Sequence, residues 1–316
     1  MQKSLVSMLA LGLAMTGTAA LAEWPDRPIM MIVPYNPGGT TDILARLAAE
    51  AISAAVGQPV VVENRPGAGG VVGTTQAAQA EGDGYTILFA NNATNVVQPL
   101  INPAVTYDPV ADFVGIATIA DSATFLAVNA DTGVTTLDGF IEYLRANPSM
   151  YGTAGVGSMG QFTIEQFLMK TGTDATHIPY QGSNNALAAA MSGEIQFLAD
   201  PVVAGQAGSD RLNILAALTT ARHPSLPDLP TARELGVDVA ITGWFGLLAP
   251  DGTDPAYLAA MAAPLEAMVA SDSYREQALR MGLVPVYRDP AALDAAVVSD
   301  LETFGAIRDA AGITIE

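Results

Sequence analysis

Five consecutive residues, Gly38, Gly39, Thr40, Thr41 and Asp42, join two glycines to three side chains of helix-capping type. They stand between a short apolar run, residues 29–33, and an amphipathic one, residues 43–56. That order reads as a strand, a turn and a helix. Pro34 and Pro37 stop the strand from continuing, and Tyr35 lies between them. The glycines let the backbone turn sharply and leave no side chain in a ligand's way. Thr40, Thr41 or Asp42 can cap the helix start. Free N–H groups at a positive helix end suit a carboxylate or a phosphate. An ordinary strand-to-helix turn would use the same residues.

A second glycine loop follows Thr153, with Gly155, Gly157 and Gly160 spaced as G-x-G-x-x-G. That spacing after a strand is the context of a dinucleotide fingerprint, which also needs an acid at the end of the next strand. Here that strand ends in Pro179 and Tyr180, and Asp174 precedes it. The better reading is a second anion-binding loop, with Thr153, Ser158 and Gln161 as hydrogen-bonding groups. Gly182, Ser183 and Asn184 open a further helix, and Asp200 closes a further strand.

Catalytic constellations do not assemble. Val156 stands where a hydrolase elbow needs glycine before Ser158, and there is no P-loop lysine. His177 and His223 lack metal-ligand spacing. Asp42 and Asp200 could be an acid–base pair, but Asp42 as a helix cap and Asp200 as an organiser of a loop or water is the simpler reading. Tyr35, Phe125, Trp244 and Phe245 are either core or the wall of a cleft. The expectation is a binding protein rather than an enzyme, without cofactor or metal.

The elements that must position these groups alternate. Strands at residues 29–33, 60–62 and 85–90 are separated by helices. The last strand runs into Asn91 and Asn92, so both asparagines fall on the same edge as the glycine loops. Alternation of this kind predicts a mainly parallel sheet with ligand-binding loops at the strand C-terminal ends. Residues 151–218 repeat the pattern, which suggests two similar α/β lobes. Residues 223–236 read as a proline-rich connector with a short helix, and residues 257–270, 273–281 and 290–309 as helices without a strand of their own. The expected division is a discontinuous first lobe, residues 23–122 plus 243–316, and a second lobe, residues 123–242.

Residues 1–22 read as a signal peptide. Lys3 supplies the positive start, residues 5–15 the apolar stretch, and Ala20-Leu21-Ala22 the small-residue cleavage site. The mature chain is then exported, most simply to the periplasm. The sequence has no cysteine, which excludes disulfides and thiolate metal sites. The formal charge is -19, and loss of Lys3 makes it one unit more negative. So acidic a chain is a poor nucleic-acid or anionic-membrane binder. An anionic ligand would have to be held by local backbone dipoles.

Several longer motifs carry a resemblance. WPDRPIMMIVPYNPGGTTDILAR, GQPVVVENRPGAGGVVG and GDGYTILFA, then YDPVADF, HIPYQGSNNAL, LPDLPTARELG and WFGLLAPDGT occur in order along the chain. Together they resemble the substrate-binding proteins of tripartite tricarboxylate transporters, the Bug or TctC-like family. The resemblance implies a two-lobed periplasmic binding protein of type II, monomeric, closing on a small carboxylate. It implies delivery to a two-subunit membrane permease, or in some members to a sensor kinase. Family ligands include di- and tricarboxylates, amino acids and aromatic acids. Carried over, residues 38–42 hold one carboxylate, partly through ordered water. Residues 153–158, Gln161, Gly182, Ser183, Asn184 and Asp200 hold the rest. Gln181 stands where many members carry lysine, and Asn184 replaces a common proline.

Overall fold

A computed structural model describes residues 24–314. The expected signal peptide and its cleavage after Ala22 lie outside the described residues. The first half-dozen elements are β1 (Ile29–Val33), α1 (Thr40–Val56), β2 (Val60–Asn64), α2 (Val71–Ala78), β3 (Thr86–Asn91) and the single turn α3 (Gln98–Ile101). Next come β4 (Phe113–Ser122), β5 (Phe125–Asn129), α4 (Leu137–Ala146), β6 (Met150–Thr153), α5 (Met159–Thr171) and β7 (Thr176–Pro179). They are followed by α6 (Ser183–Ser192), β8 (Phe197–Asp200), β9 (Leu212–Ala217) and β10 (Gly243–Pro250). The chain closes with α7 (Pro255–Ala270), α8 (Asp272–Arg280), β11 (Leu283–Arg288) and α9 (Pro290–Ala311).

The strands form two open sheets, ordered β11-β4-β10-β3-β1-β2 and β7-β6-β8-β5-β9. Both are mixed. In the first, β1 pairs in parallel with β2 and β3, while β10 and β11 run antiparallel to their neighbours. In the second, β6 is parallel to β7 and β8, and β5 is antiparallel to β8 and β9. The parallel half of each sheet is the half whose strands are joined by crossover helices.

Alternation along the strands explains why helices cover both faces. Met31, Val33, Ile87 and Phe89 face a cluster with Leu44, Ala48 and Ile52 of α1 and Met261 and Leu265 of α7. Ile32, Leu88 and Ala90 point the other way, toward Val71 of α2 and Leu293, Val297 and Phe304 of α9. In the second sheet Leu126 and Val128 pack with α4 and α5, and Phe125 and Ala127 with α6.

The chain passes from the first sheet to the second between Ser122 and Phe125, and returns just before Gly243. Leu218 N–H donates to Thr124 O and Ile241 N–H to Leu218 O, so the outgoing and returning connections are tied to the same residue just after β9. Away from them, Phe162 of α5 rests on Phe304 of α9, ring centroids 4.9 Å apart.

Two expectations need correction. The late helices do have a strand among them, β11, which pairs antiparallel with β4 at the edge of the first sheet. Its Pro285 and its irregular register disguise it, and an edge is where a sheet tolerates proline. Residues 223–236 contain turns but no helix. Thr231 and Glu234 form a reciprocal capping pair, Thr231 N–H donating to Glu234 Oε2 and Glu234 N–H to Thr231 Oγ1. The turn it caps ends at once in Gly236, with φ +86°.

Candidate functional site

The loop between β1 and α1 is built around one carboxylate. Gly38 has φ +85°, a conformation that other residues adopt with strain. Its N–H donates to Asp42 Oδ2 at 2.9 Å. Asp42 also accepts from Arg46 Nε and Nη2 at 3.0 and 2.9 Å and from Asn64 Nδ2 at 2.9 Å, and it is 3% exposed. Burial pushes its pKa up, but the bonds from Arg46, the Gly38 amide and Asn64 outweigh that and hold it at about 2. Asp42 is thus ionised at neutral pH and organises the loop. The helix cap is different from the expectation, because Gly39 is the N-cap residue and no side chain caps α1. The first N–H groups of α1 are therefore not taken by a cap.

Around this loop the first sheet gathers its other loops. Tyr35 OH donates to Asn91 Oδ1 at 3.1 Å, and burial, only partly offset by that bond, raises the tyrosine pKa. Asn91 Oδ1 also accepts from Thr94 N–H. The side-chain NH2 of Asn91 has no acceptor among the described residues. The glycines of residues 67–73 serve packing. A Cβ on Gly70 would meet Thr94 Cγ2 at 2.6 Å, and one on Gly73 would meet Arg65 O at 2.7 Å.

The second sheet repeats the arrangement. Gly157 N–H donates to Gln161 Oε1 at 2.8 Å, again from a loop glycine to a side chain four residues on. Thr153 Oγ1 donates to Gly155 O at 2.9 Å and lies 2.7 Å from His177 Nε2. Thr153 and Gln161 are both buried, so they hold the loop from beneath. Ser158 is the N-cap of α5 but makes no cap bond, and its hydroxyl has no partner among the described residues. A Cβ on Gly160 would meet Ala199 O at 2.5 Å, which explains the third glycine of G-x-G-x-x-G as close helix–strand packing.

Gly182 precedes α6, Ser183 Oγ donates to Asp200 Oδ2 at 2.7 Å, and Val202 N–H donates to Asp200 Oδ1 at 2.9 Å. Burial raises the Asp200 pKa, against those two bonds. Asp42 and Asp200 are each committed to a separate loop.

The starts of α1, α5 and α6 all follow the C-terminal ends of parallel strands, β1, β6 and β7. In open α/β sheets that edge is where ligands sit. The loop of the second sheet reaches the first here, since a Cβ on Gly157 would lie 2.3 Å from Ile101 Cδ1. No hydrogen bond among the described residues joins the loop at residues 38–42 to those at 153–161 or 182–184.

Residues 44–313 match the TctC family, described as the tripartite tricarboxylate transporter family receptor. The chain belongs to the TctC family. This TctC receptor is 31% identical to protein BugT of Bordetella pertussis over 315 residues, 96% of this chain and 97% of that one. It resembles an R. palustris protein solved with adipate, with 31% identity and a TM-score of 0.76, covering 92% of this chain and 99% of that one. It also resembles MatC of Rhodopseudomonas palustris, solved with bound malate, with 26% identity and a TM-score of 0.72, covering 90% and 99%. The family and the fold are those of periplasmic solute-binding receptors with two lobes.

Asn92 has a different place in this TctC receptor from its neighbour Asn91. It is 2% exposed, its Oδ1 accepts from Trp244 N–H, and its Nδ2 donates to Asp300 Oδ2 at 2.6 Å. With both ends of its amide engaged it ties β3 to β10 and α9. Asp300 also accepts from Trp244 Nε1 at 3.0 Å. Burial raises its pKa to about 6, although Trp244 and Asn92 pull it down. Sequence reasoning missed Asp300 and the support His177 gives Thr153. Asp300 lies mid-helix in α9, far along the chain from its partners, with no local pattern to mark it.

Proposed function

We propose that this receptor captures a small carboxylate between its lobes in the periplasm and presents it to a two-subunit membrane permease. The observation that carries this reading is the repeated loop, in which Gly38 and Gly157 each spend an amide on an internal side chain and leave the following helix start uncapped. Uncapped N–H groups at a helix start favour an anion. The related proteins solved with adipate and with malate support a carboxylate as the ligand class.

In this reading the first lobe is residues 23–122 plus 243–316 and the second is residues 123–242. Tyr35, Pro37, Gly39, Thr40, Thr41 and Asn91 face the ligand from the first lobe. Gly155, Ser158, Gly182, Ser183 and Asn184 face it from the second. Gly38, Asp42, Thr153, Gly157, Gln161 and Asp200 hold the loops in place, and Asn92 serves the core. The receptor is monomeric and performs no chemistry on its ligand.

A thermal-shift screen of di- and tricarboxylates, amino acids and aromatic acids tests this. A ligand that binds only the folded state adds about 2.7 kcal/mol of stability at a hundredfold excess over Kd. At least one acid should raise Tm in a dose-dependent way, and its amide should not. A screen in which no acid does so refutes the reading.

A further inference from the structure

Among the described residues the buried apolar side chains form four clusters, and three of them stay within one lobe of the proposed division. The fourth is built on Ile32, Leu88, Trp244, Leu293 and Phe304 of the first lobe, and it takes two buried side chains from residues 123–242, Ile241 and Phe162. Ile241 belongs to the returning connection, where its N–H donates to Leu218 O. Phe162 belongs to α5. Among the described residues it is the one buried apolar side chain of these clusters, outside the connections, that crosses from the second lobe into the first.

The spacing along α5 explains how it crosses. Ile164, Phe167 and Leu168 lie on one face of the helix and pack on the second sheet. Phe162 is two residues before Ile164, roughly 200° around the helix, and so points the other way. It is fully buried, against Phe304 of α9. Met159, nearly one turn earlier, packs on the same cluster, and its Cε stands 3.6 Å from where a Cβ on Gly243 would be. Gly157 approaches so closely that a Cβ there would overlap Ile101 and lie 3.4 Å from Val97 Cγ1. Gly157, Met159 and Phe162 thus seat the start of α5 on the first lobe. Gly160, between them, holds it to the second, since a Cβ there would meet Ala199 O.

Lobes joined by a pair of connections move relative to each other unless a large apolar contact prevents it. Here the chain leaves after Ser122 and returns at Gly243, which are partners in register, so the connections alone make one point of attachment. The seat of α5 extends that point into a line, from Gly243 through Met159 to Phe162. Groups on the line stay in place during a rotation, and groups far from it swing. We propose that Phe162 is the pivot of lobe closure, a positioning residue that keeps the Ser158 loop at one spacing from the first lobe whether the cleft is open or closed. The inference rests on the proposed capture of a ligand between the lobes. In it, the Ser158 loop is carried by the second lobe yet serves with the α1 loop as a pre-set half of the cleft, and pre-set groups bind without a further ordering cost.

The protein has no cysteine, so pairs of introduced cysteines can be spin-labelled at chosen sites. Glu50 on α1 is an exposed reference in the first lobe, Val156 is exposed beside the pivot, and Asp131 is exposed beyond the far end of β5. Double electron–electron resonance on the unliganded pairs Glu50→Cys with Val156→Cys, and Glu50→Cys with Asp131→Cys, reads two distance distributions. The pivot predicts a narrow distribution to position 156 and a broader one to position 131. Phe162→Ala should broaden the first to the width of the second, and Phe162→Leu, which still fills the socket, should keep it narrow. A Phe162 that served stability alone would lower Tm in the alanine variant and leave both widths unchanged. If Phe162→Ala does not fold, the two pairs in the protein with Phe162 intact still decide. Equal widths for the two pairs, or a narrow distribution to position 156 in folded Phe162→Ala, would overturn the proposal. The measurement needs no ligand, so a carboxylate screen without a hit would refute the capture reading and leave these outcomes unaltered.

Discussion

The Gly38 amide donates to Asp42 Oδ2 at 2.9 Å, and this bond sets the shape of the loop that opens α1. Asp42→Ala would leave the amide, Arg46 and Asn64 without their shared acceptor. Hydrogen bonds to a charged group contribute about 1.5–3 kcal/mol each and do not add simply. A loss of stability in that range is expected at neutral pH, together with weaker carboxylate binding through the displaced loop. The sign of the pH dependence is fixed by the pKa. A carboxyl held at about 2 in the fold stabilises above the ordinary range near 3.8, and that stability is lost as pH falls through about 2. Urea denaturation of both proteins between neutral and acid pH should show the penalty of the substitution shrinking only at the acid end.

Asp300 behaves oppositely. Its carboxyl is raised to about 6, so its ionised form costs stability above that pH, and the cost disappears as pH falls toward the ordinary 3.8. Both of its donors, Asn92 Nδ2 and Trp244 Nε1, go to Oδ2, so an asparagine oxygen can accept them both. Asp300→Asn should therefore stabilise the protein above pH 7 by an amount of order 2 kcal/mol and have little effect near pH 4. Denaturation midpoints at the two pH values check this. A uniform destabilisation at both would show that the carboxylate itself is needed there.

Carboxylate binding should tolerate salt. The chain is strongly acidic, so its long-range field repels an anionic ligand and added salt screens that repulsion. The short-range contacts to helix-start N–H groups are screened far less. Calorimetric titrations across a range of ionic strength should show affinity unchanged or modestly improved. A steep loss would assign the main contact to an arginine such as Arg65.

Much of this was legible in the sequence because the signals are local. The apolar runs with Gly38–Gly39 or Gly155–Gly157 after them mark strand, loop and helix within a few residues of each other. What was not legible depends on distant partners. Asn91 and Asn92 are adjacent and alike in type, yet only the position of Trp244 and Asp300 commits Asn92 to the core. Asp42 reads as a helix cap from its place in the chain, but Arg46 and Asn64 make it the centre of the loop instead. β11 was lost because Pro285 breaks its pattern and its partner β4 lies more than 160 residues earlier. The glycine-rich residues 67–73 resemble a ligand loop, whereas contacts with Thr94 and Arg65 give them a packing role.

Gly39 gives the most direct test of the central claim. The two glycines of the loop are not equivalent. Gly38 has φ +85°, whereas Gly39 has φ -81°, an ordinary value for any residue. A Cβ on Gly39 would have only Asn36 O nearby, at 4.0 Å. Gly39→Val should therefore fold normally while placing a branched side chain where a carboxylate must approach the α1 N–H groups. Gly38→Val, by contrast, strains the turn itself and should cost stability. The measurement is calorimetric titration of Gly39→Val with the best acid from the thermal-shift screen, beside circular dichroism. The account predicts an unchanged spectrum and binding too weak to detect; binding within a few-fold of the unsubstituted protein would contradict it.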